Sequence, residues 1–317
     1  MRYRSLGSSG LLVSVVGLGC NNFGSRVDLE GTRAVVSAAL DNGITLFDTA
    51  DTYGNKGGSE TLLGHVLRTR RDGVVLATKF GNDMGGAYGP DFNARASRRY
   101  IRKAVEGSLR RLQTDYIDLF QLHNPDAFTP VEETLAALDE VVREGKVRYV
   151  GSSNLTAWQV ADAEWTARAS GTTRYISTQN HYNLLERRVE AELVPAAQKY
   201  SIGILPYFPL ANGILTGKYL RDEVPPSGTR LAGRQDELTD ELFDQIETLE
   251  TFARERGRSI LDVAIGGLAA QPAVSSVIAG ATTAEQVRAN AAAGEWQPRA
   301  DDLAVLDKIT PTRRPAF

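Results

Sequence analysis

The sequence predicts an α/β fold, a (β/α)8 TIM barrel with an N-terminal β-hairpin and additional outer helices. Three observations support it. Short runs rich in β-branched and aromatic residues alternate with helix-period segments eight times along the 317 residues, a rhythm that implies parallel strands joined by crossover helices. No GxGxxG follows the first strand, which sets a barrel ahead of a doubly wound sheet. Finally, Asp48, Tyr53, Lys79 and His123 stand at or just past the ends of three successive strand-like runs, ITLFDTADTY (44–53), VVLATKF (74–80) and YIDLFQLH (116–123). Barrels of this kind place their chemistry at that rim.

In chain order, RYRSL (2–6) and LLVSV (11–15) flank a Ser/Gly turn and read as a hairpin, placed at the barrel bottom. Strands are expected at 15–19, 44–49, 74–79, 116–121, 148–152, 175–179, 202–207 and 274–279. The alternating helices are expected at 29–42, 59–68, 97–112, 131–144, 156–169, 189–200, 259–271 and 283–293. Ser97, Thr156, Ser259 and Thr283 are suitable N-caps, because a short side-chain oxygen can accept from the free amides of the first turn. The stretch 211–235, with PPSG and several basic residues, reads as a long functional loop or lid. Helices at 237–256 and 301–309 fall outside the repeat, and no linker interrupts residues 1–317, so a single domain is expected.

A formal charge of −3 gives no general basic field, which argues against nucleic acid or an anionic membrane as partner. One cysteine permits no intramolecular disulfide. The N-terminus lacks the pattern of a signal peptide and no window approaches the ~20 apolar residues of a membrane helix. The expected location is the cytoplasm. Cys20 reads as a buried small hydrophobe, and His65 and His181 have no partners at ligand spacing, so no metal is expected.

Each of the four rim residues alone has an ordinary explanation. Together they make a tuned proton donor: a lysine at a strand end is expensive to bury without a carboxylate, so Lys79 implies Asp48 nearby. A tyrosine hydroxyl is a poor acid near neutrality. An adjacent Lys79 ammonium is expected to lower the Tyr53 pKa, with Asp48 holding that ammonium charged and in place. His123, with Asn124 beside it, can orient a substrate oxygen.

FDTADTYG (47–54), ATKFG (77–81), LHNPD (122–126), VGSSN (150–154) and STQNHYN (177–183) resemble the aldo-keto reductase superfamily, in its bacterial, short-tailed branch. The resemblance runs from RYRSLG to near Ala293. It implies Tyr53 as general acid/base, Lys79 and Asp48 as its tuning pair, His123 as the substrate-orienting residue, and metal-free hydride transfer from a nicotinamide to a carbonyl carbon. It further implies that Ser153, Asn154 and Gln179 meet the nicotinamide carboxamide and that the Tyr207 ring stacks on the nicotinamide. Pro209 and Leu210, in the PLANG segment, and Lys218 are implied at the pyrophosphate. Gly280, Thr282, Thr283, Gln286 and Asn290 match the segment that grips the adenosine 2′-phosphate. Gly280 and Gln286 stand where many relatives have Lys and Arg, so NADPH is the expected cofactor with NADH as a live alternative.

Substrate choice is expected in the loops 21–24, 82–93 and 123–128 and the tail 311–317, with Phe23, Tyr88 and Phe92 as apolar walls. The partner is then a small-molecule carbonyl compound; oligomeric state is undetermined. Two other classes compete: a nicotinamide-binding regulatory β subunit of a channel, with slow turnover, and a metal-dependent barrel hydrolase.

Overall fold

In the computed structural model, which describes residues 1–312, β1 (Tyr3–Ser5) pairs antiparallel with β2 (Leu12–Ser14) as the expected hairpin. Its connection turns at Gly7 with φ +57, where a Cβ would lie 2.4 Å from the Ile176 carbonyl oxygen, so only glycine fits. Leu6, just past β1, and Val13, paired opposite Arg4, are fully buried against Leu46, Ala77, Leu119, Leu205 and Ile278, side chains of five barrel strands. The hairpin therefore fills the barrel floor.

The eight barrel strands are β3 (Val16–Gly19), β4 (Leu46–Asp48), β5 (Val75–Phe80), β6 (Ile117–Leu122), β7 (Val147–Ser153), β8 (Tyr175–His181), β9 (Gly203–Tyr207) and β10 (Val277–Gly280). They are parallel and ordered β10-β3-β4-β5-β6-β7-β8-β9. Closure comes from the segment before β10: Ile204 N donates to Ala273 O at 2.7 Å and Ser275 N to Ile204 O at 3.0 Å. The chain diverts through Ala273, at φ +62, so β10 begins three residues later than the expected 274.

Around the barrel lie α1 (Leu29–Asp41), α2 (Tyr53–Leu67), α3 (Arg98–Leu112), α4 (Val131–Arg143), α5 (Ala157–Ser170), α6 (Leu193–Tyr200), α8 (Ile260–Ala269) and α9 (Ala284–Ala293). The two additions, α7 (Asp240–Glu255) and α10 (Ala300–Ile309), pack with α8 and Trp296 in a second apolar cluster built on Phe243, Leu249, Phe252 and Leu306. Thr283 and Ser259 cap as expected, accepting from Gln286 N and Asp262 N. Thr156 N donates to the Gln159 side-chain oxygen. Ser97 departs from expectation: its hydroxyl donates to Ala94 O at 2.6 Å, and the first turn of α3 is served instead by Glu133, which accepts from Arg98 N at 3.0 Å. The helix expected at 189–200 begins only at Leu193, because Arg187 and the Tyr182 hydroxyl draw Glu190 into a separate 3-10 turn.

Candidate active site

The first requirement of the rim is met by register. β4 and β5 place Asp48 beside Ala77, and β5 and β6 place Lys79 beside Gln121, so alternate residues of adjacent strands point inward. Lys79 is fully buried. An ammonium has three donors, and Lys79 Nζ meets three acceptors: Asp48 Oδ2 at 2.6 Å, Thr49 O at 2.9 Å and the Tyr53 hydroxyl at 3.4 Å. The other Asp48 oxygen accepts from Gln179 Nε2 at 2.9 Å and Gln121 Nε2 at 3.2 Å. Burial pulls the Lys79 ammonium down, yet the Asp48 charge and Tyr53 outweigh it and hold its pKa above the ordinary value.

Tyr53 is delivered by an unusual bend. The residues after it, Gly54, Asn55, Lys56 and Gly57, all have positive φ (66, 60, 66 and 117°) before regular helix resumes. A Cβ at Gly54 would lie 2.4 Å from Phe23 O and 2.6 Å from Ser59 N, so the bend is locked between the β3 loop and α2. Burial outweighs the Lys79 ammonium, which does pull the Tyr53 pKa down as expected. Burial raises it, the neighbouring Lys79 lowers it and Asp48 raises it again, with a net rise above the usual value of 10.0. The hydroxyl therefore carries its proton throughout the neutral range.

His123, one residue past β6, lies edge-on to Tyr53 with ring centroids 5.7 Å apart. Burial and then the Lys79 charge push its pKa down to about 3, so the ring is neutral. Asn82 Nδ2 contacts its Nδ1 at 3.1 Å.

Beside this cluster, Tyr207 donates its hydroxyl to Asn154 Oδ1 at 2.9 Å, and Asn154 Nδ2 donates to the His123 main-chain oxygen at 2.9 Å. Asn154 sits at φ +61, a conformation its short side chain tolerates. One face of the Tyr207 ring is covered by His181, stacked 5.4 Å away. Ser153 is buried with its hydroxyl on Gln179 O. Gln179, expected at a carboxamide, instead commits its side-chain nitrogen to Asp48.

At the start of α9, Gln286 Oε1 accepts from Thr282 N at 2.8 Å and Asn290 Nδ2 reaches Gly280 O at 3.4 Å, so both shape the turn. Arg288 pairs with Glu285 at 3.2 Å. Lys218 is exposed, over the Tyr219 ring, while Pro209 is buried and Leu210 half-buried in the turn after β9.

Two expected substrate walls lie elsewhere. Phe23 is fully buried in the core. Tyr88 is buried beneath the 82–93 loop, edge-on to Tyr100, where its hydroxyl accepts from Arg111 Nη2 at 2.8 Å. It anchors that loop, which is accordingly pinned despite its glycines. Phe92 is exposed, as is Asn124. Of the tail, residues 313–317 lie outside the described residues.

Four residues of the site escaped the sequence reading. Gln121 and Asn82 carry no local signal, since their partners are distant in sequence. Phe208 packs edge-on to both Tyr207 and His181. Arg230, from the 211–235 loop, reaches the β3 loop and the β9 turn through long contacts to Asn21 Oδ1 (3.4 Å) and Asn212 Oδ1 (3.5 Å). Burial and Arg26 depress its pKa, and it meets no carboxylate within 4.0 Å among the described residues. A basic residue in a loop bounded by PPSG was its only sequence signal.

A closed parallel barrel with a lysine, a carboxylate, a tyrosine and a histidine converging at its C-terminal rim defines a class, the carbonyl-reducing oxidoreductases. Comparison with known proteins agrees. Residues 15–311 match the model of the Aldo/keto reductase family, and the chain belongs to that family. It is 38% identical over 318 residues to the uncharacterized oxidoreductase YrpG of Bacillus subtilis (strain 168), covering 98% of this chain and 96% of that protein. It is 37% identical to a probable voltage-gated potassium channel subunit beta of Oryza sativa subsp. japonica, over 98% of this chain and 95% of the relative. Similarity to the L-glyceraldehyde 3-phosphate reductase of Escherichia coli (strain K12) is 36% identity over 92% of this chain and 86% of that protein. No helix among the described residues is long and apolar enough to cross a membrane.

Proposed function

We propose that the protein reduces aldehyde, ketone or quinone carbonyls to alcohols with a nicotinamide hydride donor, Tyr53 supplying the proton. The carrying observation is Lys79 Nζ, wholly buried, set between Asp48 Oδ2 at 2.6 Å and the Tyr53 hydroxyl at 3.4 Å. A protonated Tyr53 beside a permanently charged ammonium is a proton donor whose conjugate phenolate is stabilised as it forms. Asp48 holds that ammonium, and Gln121 and Gln179 hold Asp48. His123, neutral and beside Tyr53, orients the carbonyl oxygen. In the reverse direction Tyr53 accepts the proton of an alcohol.

The rim suits a dinucleotide. Arg230 is a half-buried guanidinium over the Phe208 ring whose hydrogen bonds reach only amide oxygens, Lys218 is exposed, and α9 opens with amides and the Thr282 and Thr283 hydroxyls. Asn154, Ser153 and the ring of Tyr207 are assigned to the nicotinamide, which supplies the hydride when bound. Pro209, Leu210, Lys218 and Arg230 are assigned to the pyrophosphate, and Gly280, Thr282, Thr283, Gln286 and Asn290 to the adenosine end. NADPH is the proposed donor. Because Arg288 is paired with Glu285, NADH is the alternative to measure beside it. We take residues 1–317 as one cytoplasmic catalytic domain.

The similarity to two plant channel β subunits, at 37% and 35% identity over 98% of the chain, favours one second reading, a nicotinamide-binding regulatory subunit with slow turnover. Oxidation of NADPH and NADH with aromatic aldehydes, a dicarbonyl, an o-quinone and a phosphorylated aldehyde separates the two. Turnover that collapses in folded Tyr53→Phe supports the reductase; tight nucleotide binding with no turnover favours the regulatory subunit.

A further inference from the structure

A line of side-chain amides runs along the rim from Tyr207 to His123, and its direction is set at one end. Asn154 Nδ2 lies 2.9 Å from the main-chain oxygen of His123. That oxygen carries no proton, so the atom facing it must be the donor nitrogen. The same nitrogen lies 3.1 Å from Asn124 Oδ1, while Asn154 Oδ1 accepts from the Tyr207 hydroxyl. Asn124 is thereby oriented with its nitrogen toward Asn82 Oδ1, at 2.7 Å. Asn82 is left presenting its own nitrogen to His123 Nδ1, at 3.1 Å. Reversing any one amide sets two donors or two acceptors face to face at another link.

An amide nitrogen only donates, so His123 Nδ1 must be the unprotonated, accepting nitrogen and the single ring proton must sit on Nε2. We propose that Asn82 and Asn124 are positioning residues that hold His123 in the neutral form protonated on Nε2, the donor offered to a substrate oxygen. The importance of that oxygen rests on the reductase reading; the tautomer itself does not. Neutral amides suit this task because they place the proton without stabilising a charged ring, as a carboxylate there would. The titratable groups facing the ring are Tyr53, edge-on from α2, and Lys79 from β5 with its partner Asp48 from β4. Asn82 is itself held by the Tyr100 hydroxyl, which donates to its main-chain oxygen at 2.5 Å.

The test reads the ring nitrogens directly, by 15N spectra of histidine-labelled full-length protein, with His123→Asn used to assign the signal. Wild type is expected to show the neutral ring protonated on Nε2. In Asn82→Asp the facing atom becomes an acceptor, so the proton is expected on Nδ1 at high pH and on both nitrogens at lower pH. Carbonyl reduction by Asn82→Asp is expected to fall about 100-fold at high pH, the scale of losing one directed donor. It should recover as pH falls and Nε2 regains a proton, an acid limb absent from wild type. Asn82→Leu should lose activity without that recovery. A wild-type ring protonated on Nδ1 overturns the proposal, as does an Asn82→Asp variant with the wild-type tautomer, or one that follows Asn82→Leu in pH profile. If wild type reduces no carbonyl, the reductase reading fails while the nitrogen spectra still decide the relay.

Discussion

Gln179 donates its side-chain amide to Asp48 Oδ1 at 2.9 Å, while Lys79 occupies Oδ2. Each carboxylate oxygen thus has its own partner, and Asp48 cannot rotate away from the ammonium without losing one. Gln179→Leu is expected to lower stability by about 1.5–3 kcal/mol, the scale of a buried hydrogen bond to a charged group. Urea unfolding measures this, and a variant as stable as wild type would show that Gln121 alone suffices.

Removing the ammonium has a larger effect than removing its support. Lys79→Met leaves Asp48 buried and unpaired, a loss of about 3–5 kcal/mol. It is expected to abolish reduction while nucleotide binding persists in the folded fraction. Adding Asp48→Asn should restore most of the stability and none of the activity. Failure of the double variant to regain stability would place the loss in packing rather than charge.

The half-buried, neutral His123 predicts a pH dependence with a definite sign. Its pKa falls from an ordinary 6.5 to about 3 on folding. Above pH 6.5 both states are neutral and the group contributes nothing. As pH falls from there toward 3, the unfolded chain takes up a proton that the folded ring refuses, and stability declines by up to about 4 kcal/mol. Urea midpoints from pH 7 to 4 should fall less steeply in His123→Asn; equal slopes would remove His123 as the source.

Arg230 makes only two long hydrogen bonds and lies 5.3 Å from the centre of the Phe208 ring, which a methionine still covers, so Arg230→Met is expected to leave stability near wild type. Nucleotide affinity should weaken about tenfold, and less so at high salt, because a lost ion contact is itself screened. Fluorescence titration with NADPH at two ionic strengths checks both parts.

Gly54→Ala combines positive φ with a main-chain clash at 2.4 Å. A loss of at least about 2 kcal/mol is expected, since the backbone must change region. Thermal unfolding and the kcat of the surviving folded enzyme measure it, and a neutral substitution would mean the bend adapts.

The barrel was legible because its signals are local. Strand and helix periods, the caps at Ser259 and Thr283 and the polar strand ends all sit within a few residues of what they specify. The Asp48 and Lys79 pairing was legible for a different reason: a buried ammonium demands a carboxylate, whatever the fold. What the sequence hid depends on three-dimensional meetings. Asn82 and His123 are brought together from separate loops, and Arg230 crosses from a long loop to Asn21. Phe23 and Tyr88 were misread as open walls because an aromatic ring in a loop looks the same whether it faces the mouth or the core. The direction of the Tyr53 shift needed the depth of burial, which charge pairing alone does not supply.

The hairpin floor has a kinetic meaning. With Leu6 and Val13 filling the far end of the barrel, two small molecules that react at the opposite rim would enter from the same side. Whichever lies deeper enters first and departs last. Under the proposed function, with a nicotinamide against Tyr207 beneath a carbonyl compound, binding would be sequential and the molecule underneath would leave last.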